Sequence, residues 1–281
     1  MSKKDLTGRV VAITGGARGI GAATARAFVE RGASVCIGDI DAVGAVALAK
    51  SIGDAAHGVR LDVTDSASFA AFLAAAESHF GGLDVLINNA GIMPTGDFVS
   101  QAPTESDAVV DINLRGVIIG SRLAGQRFAE QRNGHIVNVA SIAGLTACPG
   151  AAVYSATKFA VVGLGQALAQ ELEPQGITVT TIAPGFVNTE LIAGLAPSWF
   201  VRHFGFVEPE NISQAIVGAV TSGDSGLRVV PRLAGTFALA LHPAPERLQW
   251  LAARIMGLDT VMRHSDSAAR AKYDARIHNV L

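Results

Sequence analysis

Two side chains that can share a proton stand four residues apart in the segment Tyr154-Ser-Ala-Thr-Lys158. On a helix that spacing puts the phenol and the ammonium on one face. A phenol ordinarily loses its proton at about pH 10, and a fixed cation beside it favours the phenolate and lowers that value. Such a pair can give or take a proton near neutrality, which is what interconverting an alcohol and a carbonyl requires. Alone, Tyr-x-x-x-Lys is a weak motif, because the two residue types fall four apart on many surface helices. It gains weight here from a Gly-rich turn over residues 14–21, from Asp39 and from Ser141.

The turn Thr14-Gly-Gly-Ala-Arg-Gly-Ile-Gly21 joins a strand-like run to a helical pattern. Glycines let the backbone turn tightly and let a diphosphate reach the helix N-terminus, where free N–H groups and the helix dipole favour anions. The spacing Gly-x-x-x-Gly-x-Gly differs from the common Gly-x-Gly-x-x-Gly fingerprint, but the strand–turn–helix setting is the one that fingerprint needs. A plain Gly-rich turn is the alternative. Asp39 ends the second strand, eighteen residues after Gly21. A carboxylate there can accept hydrogen bonds from the adenosine ribose hydroxyls. It would also repel a 2′-phosphate, by roughly 4 kcal/mol per unit-charge pair at ~4 Å and an effective dielectric of ~20, before screening. Arg18 points the other way, since a cation in the turn could hold that phosphate; its plainer role is a surface charge beside the diphosphate. Asp39 carries more weight, so NAD is expected ahead of NADP.

These residues need a frame that brings them to one edge. Strand-like runs cover residues 9–14, 34–39, 58–62, 83–88, 135–140, 177–182 and 227–232, separated by helical patterns over 20–31, 42–52, 66–79, 105–130 and from Tyr154 onward. Near-continuous apolar strands alternating with helices mean parallel strands buried on both faces. The expected fold class is α/β: a doubly wound Rossmann fold, with a seven-stranded mainly parallel sheet and helices on both faces. Right-handed crossovers align the strands' carboxyl ends, where Gly15, Asp39, Asp62, Asn89, Ser141 and Pro184 all fall. One domain over 1–233, with a helical C-terminal extension of the same domain over 234–281, is the economical division.

Together these elements resemble the short-chain dehydrogenase/reductase family in its common form, over about residues 5–190. The turn at 14–21, Asn88-Asn89-Ala90-Gly91, Asn113 in Asp-Ile-Asn-Leu, Ser141 thirteen residues before Tyr154, and Pro184-Gly185 followed by Thr189 carry the likeness. The resemblance implies a catalytic set of Asn113, Ser141, Tyr154 and Lys158. It implies cofactor contacts at Gly15, Ala17, Arg18, Gly19, Ile20, Gly21, Asp39, Ile40, Asp62, Val63, Asn89, Ala90, Gly91, Tyr154, Lys158, Pro184, Gly185, Val187 and Thr189. In that scheme Tyr154 exchanges the proton and Lys158 lowers its pKa and bonds the nicotinamide ribose. Ser141 bonds the substrate oxygen, and Asn113 holds a water linking Lys158 to solvent. The plainer readings are a turn cap for Asp62, a helix-carbonyl bond for Asn113 and a loop hydroxyl for Ser141. The family's usual contact through the helices at 105–130 and 154–172 implies a homodimer, with a homotetramer possible.

Composition bounds the rest. The 281 residues are 49% hydrophobic and 16% charged, enough for a substantial core and unlike a disordered chain. A net charge of −2 gives no reason to expect nucleic-acid binding. Residues 227–281 carry eight Arg or Lys against four Asp or Glu, which reads as a solvated helical tail or a basic surface for a partner. Cys36 and Cys148 form no metal pattern; Cys36 reads as a buried hydrophobe and Cys148 as a possible site wall. The N-terminus shows no secretion signal, and no run approaches the ~18 apolar residues of a membrane span, so a cytoplasmic protein is expected.

The tail departs from the family pattern. After Arg232 comes an apolar segment, then Pro243-Ala-Pro245, a helix over 246–256 with Leu248, Leu251 and Ile255 on one stripe, and a second helix over about 260–277. The stripe is expected to pack on the protein's own sheet or on a second subunit. A lid over 190–207 is expected to carry Leu191, Ile192, Leu195, Trp199, Phe200, Phe204 and Phe206, with Met93, Leu145 and Phe186 facing it. That lining suits a bulky apolar alcohol or ketone of steroid, terpenoid, retinoid or lipid type. Arg202 and His203 leave a polar handle open. The leading expectation is an NAD-dependent dehydrogenase/reductase for such a substrate. Alternatives are an NADPH-dependent ketoacyl-thioester reductase, and an NAD(H)-sensing protein without turnover, which the retained proton-transfer residues disfavour.

Overall fold

Among the described residues the chain forms nine strands, most of them separated by helices: β1 (Val10–Thr14), β2 (Ser34–Asp39), β3 (Ala56–Arg60), β4 (Val85–Asn88), β5 (Gly134–Val139), β6 (Ile177–Pro184), β7 (Phe186–Val187), β8 (Phe206–Val207) and β9 (Gly226–Val230). This computed structural model describes residues 6–195, 199, 203, 205–241, 244–255, 257, 261–262 and 266–278. Seven strands form one sheet in the order β3-β2-β1-β4-β5-β6-β9, every neighbouring pair parallel. Chain order reverses between β1 and β4, so a crevice opens at their carboxyl ends. β7 and β8 form a separate parallel pair beyond the sheet edge.

Alternation along the strands divides the core in two. Val11 and Ile13 of β1 face helices α1 (Gly19–Val29) and α2 (Ala42–Ile52), where Phe28, Ala45 and Leu48 meet them. Helix α7 (Pro209–Ser222) adds Ile212, Ile216 and Val217 to that layer. Val10 and Ala12 face the opposite layer, built from α3 (Ser66–Phe80) and α5 (Gly116–Gln131) with Phe69, Phe72, Leu73 and Phe128. Each such side chain, fully buried, contributes roughly 1.5–3 kcal/mol. The seven expected strands are present with boundaries moved by up to two residues. The helical run expected over 105–130 is α4 (Pro103–Val110) and α5 joined through a π-turn at Asp111–Arg115. Helix α6 (Ala152–Glu171) carries Tyr154 and Lys158.

Helix α7 escaped the sequence reading, although its start was legible. Pro209 occupies the first turn, Glu208 and Asn211 form a capping box, and Gly223 ends the helix at φ 70°. The C-terminal extension forms α8 (Arg232–Leu241), α9 (Glu246–Ile255) and α10 (Ser267–His278). The expected packing of the α9 stripe on the sheet is not what the fold does: Leu248, Leu251 and Ile255 are 54%, 54% and 78% exposed, with Trp250 at 60%. Among the described residues, no helix is long and apolar enough to cross a membrane.

His135, on β5, is buried with Nε2 2.8 Å from Thr180 Oγ1. Burial above all, then Arg228, pushes its pKa from 6.5 to about 4, with Asp224 opposing. The unfolded chain therefore takes up the proton first as the pH falls. The stability this neutral imidazole contributes is full above pH 6.5 and is lost between 6.5 and about 4, a change on the order of 3 kcal/mol. Denaturant unfolding from pH 7 to 4.5 should show a smaller stability loss in His135→Gln than in the parent. Equal losses would place the acid sensitivity elsewhere.

Candidate active site

The carboxyl ends of β1, β2, β4, β5 and β6 border a cleft of about 930 Å³. Its nucleotide end is shaped by backbone that tolerates no side chain. Gly15 has φ +61°, and a Cβ there would lie 2.7 Å from Ala90 Cα. A Cβ on Gly21 would lie 2.4 Å from the Gly15 carbonyl oxygen. The Gly-rich turn thus lies directly against the segment after β4. Thr14 Oγ1 accepts the N–H groups of Asn89 and Ala90 at 2.9 and 3.0 Å, and the Asn89 amide donates to the carbonyls of Thr14 and Gly15. The N-terminus of α1 has no side-chain cap and no acidic residue in its first turn, which suits an anion rather than a protein partner.

The carboxylates of this end are fixed by backbone donors. Asp39 accepts the N–H groups of Ala17 and Asp41, each at 3.0 Å. Asp62 accepts the Thr64 N–H and hydroxyl, the turn-capping role that was its plainer reading, and still lines the cleft. Arg18 is paired with Asp41 and lies 3.7 Å from Glu190. Gly15, Arg18, Gly19, Ile20, Asp39, Ile40, Asp62, Val63, Asn89, Ala90, Gly91, Pro184, Gly185, Val187 and Thr189 all border the cleft. Ala17 and Gly21 do not; Ala17 orients Asp39, and Gly21 lets the turn close. The glycine cradle, the uncapped helix end and the carboxylate at the end of β2 together fit a dinucleotide.

At the other end, Ser141 leaves β5 and caps the short turn Ile142–Gly144 by accepting the Ala143 N–H. Tyr154 and Lys158 face the cleft one turn apart on α6. The Lys158 Nζ donates to the Val139 carbonyl at 2.9 Å and stands 5.6 Å from the Tyr154 ring centre. Burial is the main influence on both groups. It pushes the Tyr154 phenol above its ordinary range, against a hydrogen bond with Ser141 that pulls it down, and it pushes Lys158 down to about 8. In the protein alone the dry cleft penalises both charged forms, and burial is the larger influence on each.

Asn113 sits in the π-turn, fully buried behind the cleft rather than in its wall. Its amide accepts the Ile92 N–H and donates to the Ile92 carbonyl, both at 2.8 Å. That reciprocal pair clamps the segment after β4.

The apolar end departs further from expectation. Met93, Phe186, Leu191 and Ile192 line the cleft as anticipated, and Phe206 stacks on Phe186 at 5.8 Å. Leu145 packs instead with Val117 and Val161 in a separate cluster. Trp199 is 71% exposed and stacks on His203, away from the lining. Phe200, Arg202 and Phe204 lie outside the described residues. The space they were expected to fill is bordered by the extension: Met262, Tyr273, Arg276 and Ile277 line the cleft. Glu190 joins the two ends, since Arg276 and Lys272 of α10 and Arg18 of the Gly-rich turn all approach its carboxylate. Arg276 contributes most to holding the Glu190 carboxyl below its usual range. Sequence reading missed this docking because α10 is polar along much of its length. Tyr273, one of two tyrosines in the chain, was the available signal.

A family model described as short chain dehydrogenase matches residues 9–198. A 3-alpha-(or 20-beta)-hydroxysteroid dehydrogenase of Mycobacterium tuberculosis is 42% identical over 213 residues, 75% of this chain and 82% of that protein. A cis-4-hydroxycyclohexanecarboxylate dehydrogenase of Sinomonas cyclohexanicum is 38% identical over 243 residues, 79% of this chain and 97% of that protein. Among solved structures, a 3-ketoacyl-(acyl-carrier-protein) reductase from Brucella melitensis complexed with NADH is 33% identical, with a TM-score of 0.73 over 80% of this chain and 98% of that one. The chain belongs to the short-chain dehydrogenase family. It is an oxidoreductase of the class that acts on CH–OH groups.

Proposed function

We propose that the protein interconverts a secondary alcohol and a ketone on an apolar, ring-bearing molecule, using NAD in preference to NADP. The observation that carries this reading is the placement of Ser141, Tyr154 and Lys158 at one end of a single cleft whose other end is the glycine cradle. A bound nicotinamide dinucleotide would supply the hydride donor or acceptor and, when oxidised, a positive charge that favours the phenolate. Tyr154 gives its proton to the carbonyl oxygen in reduction and takes it back in oxidation. Ser141, already bonded to the phenol, donates to the substrate oxygen as charge develops there. Lys158 sits next to that phenol and relays its proton, while Asn113 and Asn89 hold the segment after β4 in place.

Asp39 supports NAD, and so does the engagement of Arg18 by Asp41 and Glu190, which leaves its charge compensated. The apolar lining supports a hydrophobic substrate, and the steroid and cyclohexane alcohols in the names of two relatives support a ring. The ketoacyl reductase likeness favours a second reading, reduction of a ketoacyl thioester. Kinetics with cyclic and steroid secondary alcohols, a ketoacyl thioester, and both coenzymes separate the two. Turnover confined to the thioester, or to small polar alcohols, would overturn the first.

The reading includes a homodimer formed through α5 and α6. Phe159 on α6 and Val110 at the end of α4 are large apolar side chains, 36% and 41% exposed, beside that surface. Light scattering should give twice the chain mass, and Phe159→Glu should shift it toward the monomer. The two buried, unpaired thiols suit a reducing, cytoplasmic setting.

A further inference from the structure

One polar group in the apolar part of the cleft takes no part in the proton chemistry. Tyr273 on α10 is only 4% exposed, and its side chain lines the cleft. Its oxygen accepts the Met93 N–H at 2.8 Å. Its own O–H has no acceptor among the described residues. Burial, its largest influence, raises the phenol to about 12, so the proton stays in place and the group remains a donor. Met93, Phe186, Leu191, Ile192 and Met262 line the same cleft and offer no side-chain oxygen to it. Tyr273 and Tyr154 line the same cleft.

The ring is not free to turn toward solvent. Arg270, buried to 2% exposure, donates to the carbonyls of Leu191, Ala193 and Met93, and its guanidinium lies 4.8 Å over the Tyr273 ring. Arg276 flanks the ring at 5.4 Å and is itself paired with Glu190. A buried donor in an apolar wall is costly unless an acceptor meets it. Here that acceptor has to enter with a ligand. A carboxylate would have to compete with Glu190 for Arg276, and Lys158 belongs to the reacting end. A neutral oxygen is the better match.

We infer that Tyr273 is a specificity-determining residue whose hydroxyl donates to a second, neutral oxygen of the substrate, remote from the carbon that reacts at Ser141 and Tyr154. The substrate class is then a ring-containing hydroxyketone, diol or diketone. This rests on the alcohol–ketone reading above. The competing explanation is structural: Tyr273 merely ties α10 to Met93.

The test compares matched ketones with and without a distal carbonyl, one pair on a single ring and one pair on a steroid skeleton, in the wild-type protein and in Tyr273→Phe. The dioxygenated member should be preferred about tenfold in kcat/KM in at least one pair, and Tyr273→Phe should erase that preference through KM. The plain ketone should lose less than the dioxygenated one, and NADH affinity should stay within about twofold. A wild-type protein that reduces both members equally overturns the inference and leaves the function reading standing. A variant that loses both members equally, with a lowered Tm, assigns Tyr273 the structural role instead. Failure to reduce any ketone with either coenzyme sinks both readings.

Discussion

Tyr154→Phe should lower kcat by about 10³-fold while NADH binding changes by no more than about twofold. The phenyl ring fills the same volume, so packing against Met93, Cys148 and Phe186 is kept. What disappears is the proton that the reacting oxygen must gain or lose, together with the partner of Ser141. General acid–base catalysis contributes roughly 10²–10⁴-fold, which sets the scale of the loss. The pH profile adds a second check. Because burial holds the phenol above its ordinary range, alcohol oxidation by the wild-type protein should rise with pH through the neutral and alkaline region, and ketone reduction should keep its acid form across it. Residual activity of the variant should lose that dependence. Near wild-type turnover in Tyr154→Phe would remove Tyr154 from the chemistry.

The sheet and the reacting residues were legible because each depends on a short stretch of sequence. β-branched runs such as Val10–Thr14 and Ile177–Pro184 have few alternatives to a buried parallel strand. The Gly15 turn is dictated by backbone contact with Ala90, which only glycine allows. The apolar end was less legible because its walls come from distant segments. Leu145 and Trp199 have the right composition for a substrate pocket, yet one packs into another cluster and the other faces solvent. Their place is taken by Tyr273 and Ile277, on a helix whose exposed surface is charged and whose docking depends on Arg270 and Glu190. Hydropathy cannot report an arginine that is buried because it satisfies three carbonyls. The spacing of Tyr154 and Lys158 likewise announces their proximity, whereas the desolvation that raises the phenol is set by residues from many elements.

Coenzyme choice should turn on Asp39. In Asp39→Ser the ratio of kcat/KM for NAD to that for NADP should fall by about 10–100-fold. A 2′-phosphate at ~4 Å from the carboxylate is disfavoured by roughly 4 kcal/mol at an effective dielectric of ~20, and salt and the open side of the cleft reduce that to the range expected. Asp39 also accepts the N–H groups of Ala17 and Asp41, so its loss loosens the turn and raises KM for both coenzymes. The ratio cancels that common effect, and Asp39→Asn, which keeps an acceptor while removing the charge, isolates the electrostatic part. Arg18 limits the size of the switch, because Asp41 and Glu190 already hold its guanidinium. Adding Asp41→Ser should widen the change: it frees Arg18 for a phosphate, while serine can still cap α2 in place of the bond that Asp41 now makes to the Gly44 N–H. If the ratio stays constant in Asp39→Ser and in the double variant alike, discrimination does not reside in the carboxylates at the end of β2, and any coenzyme selection has to be sought where the cleft meets Arg60 and Asp62.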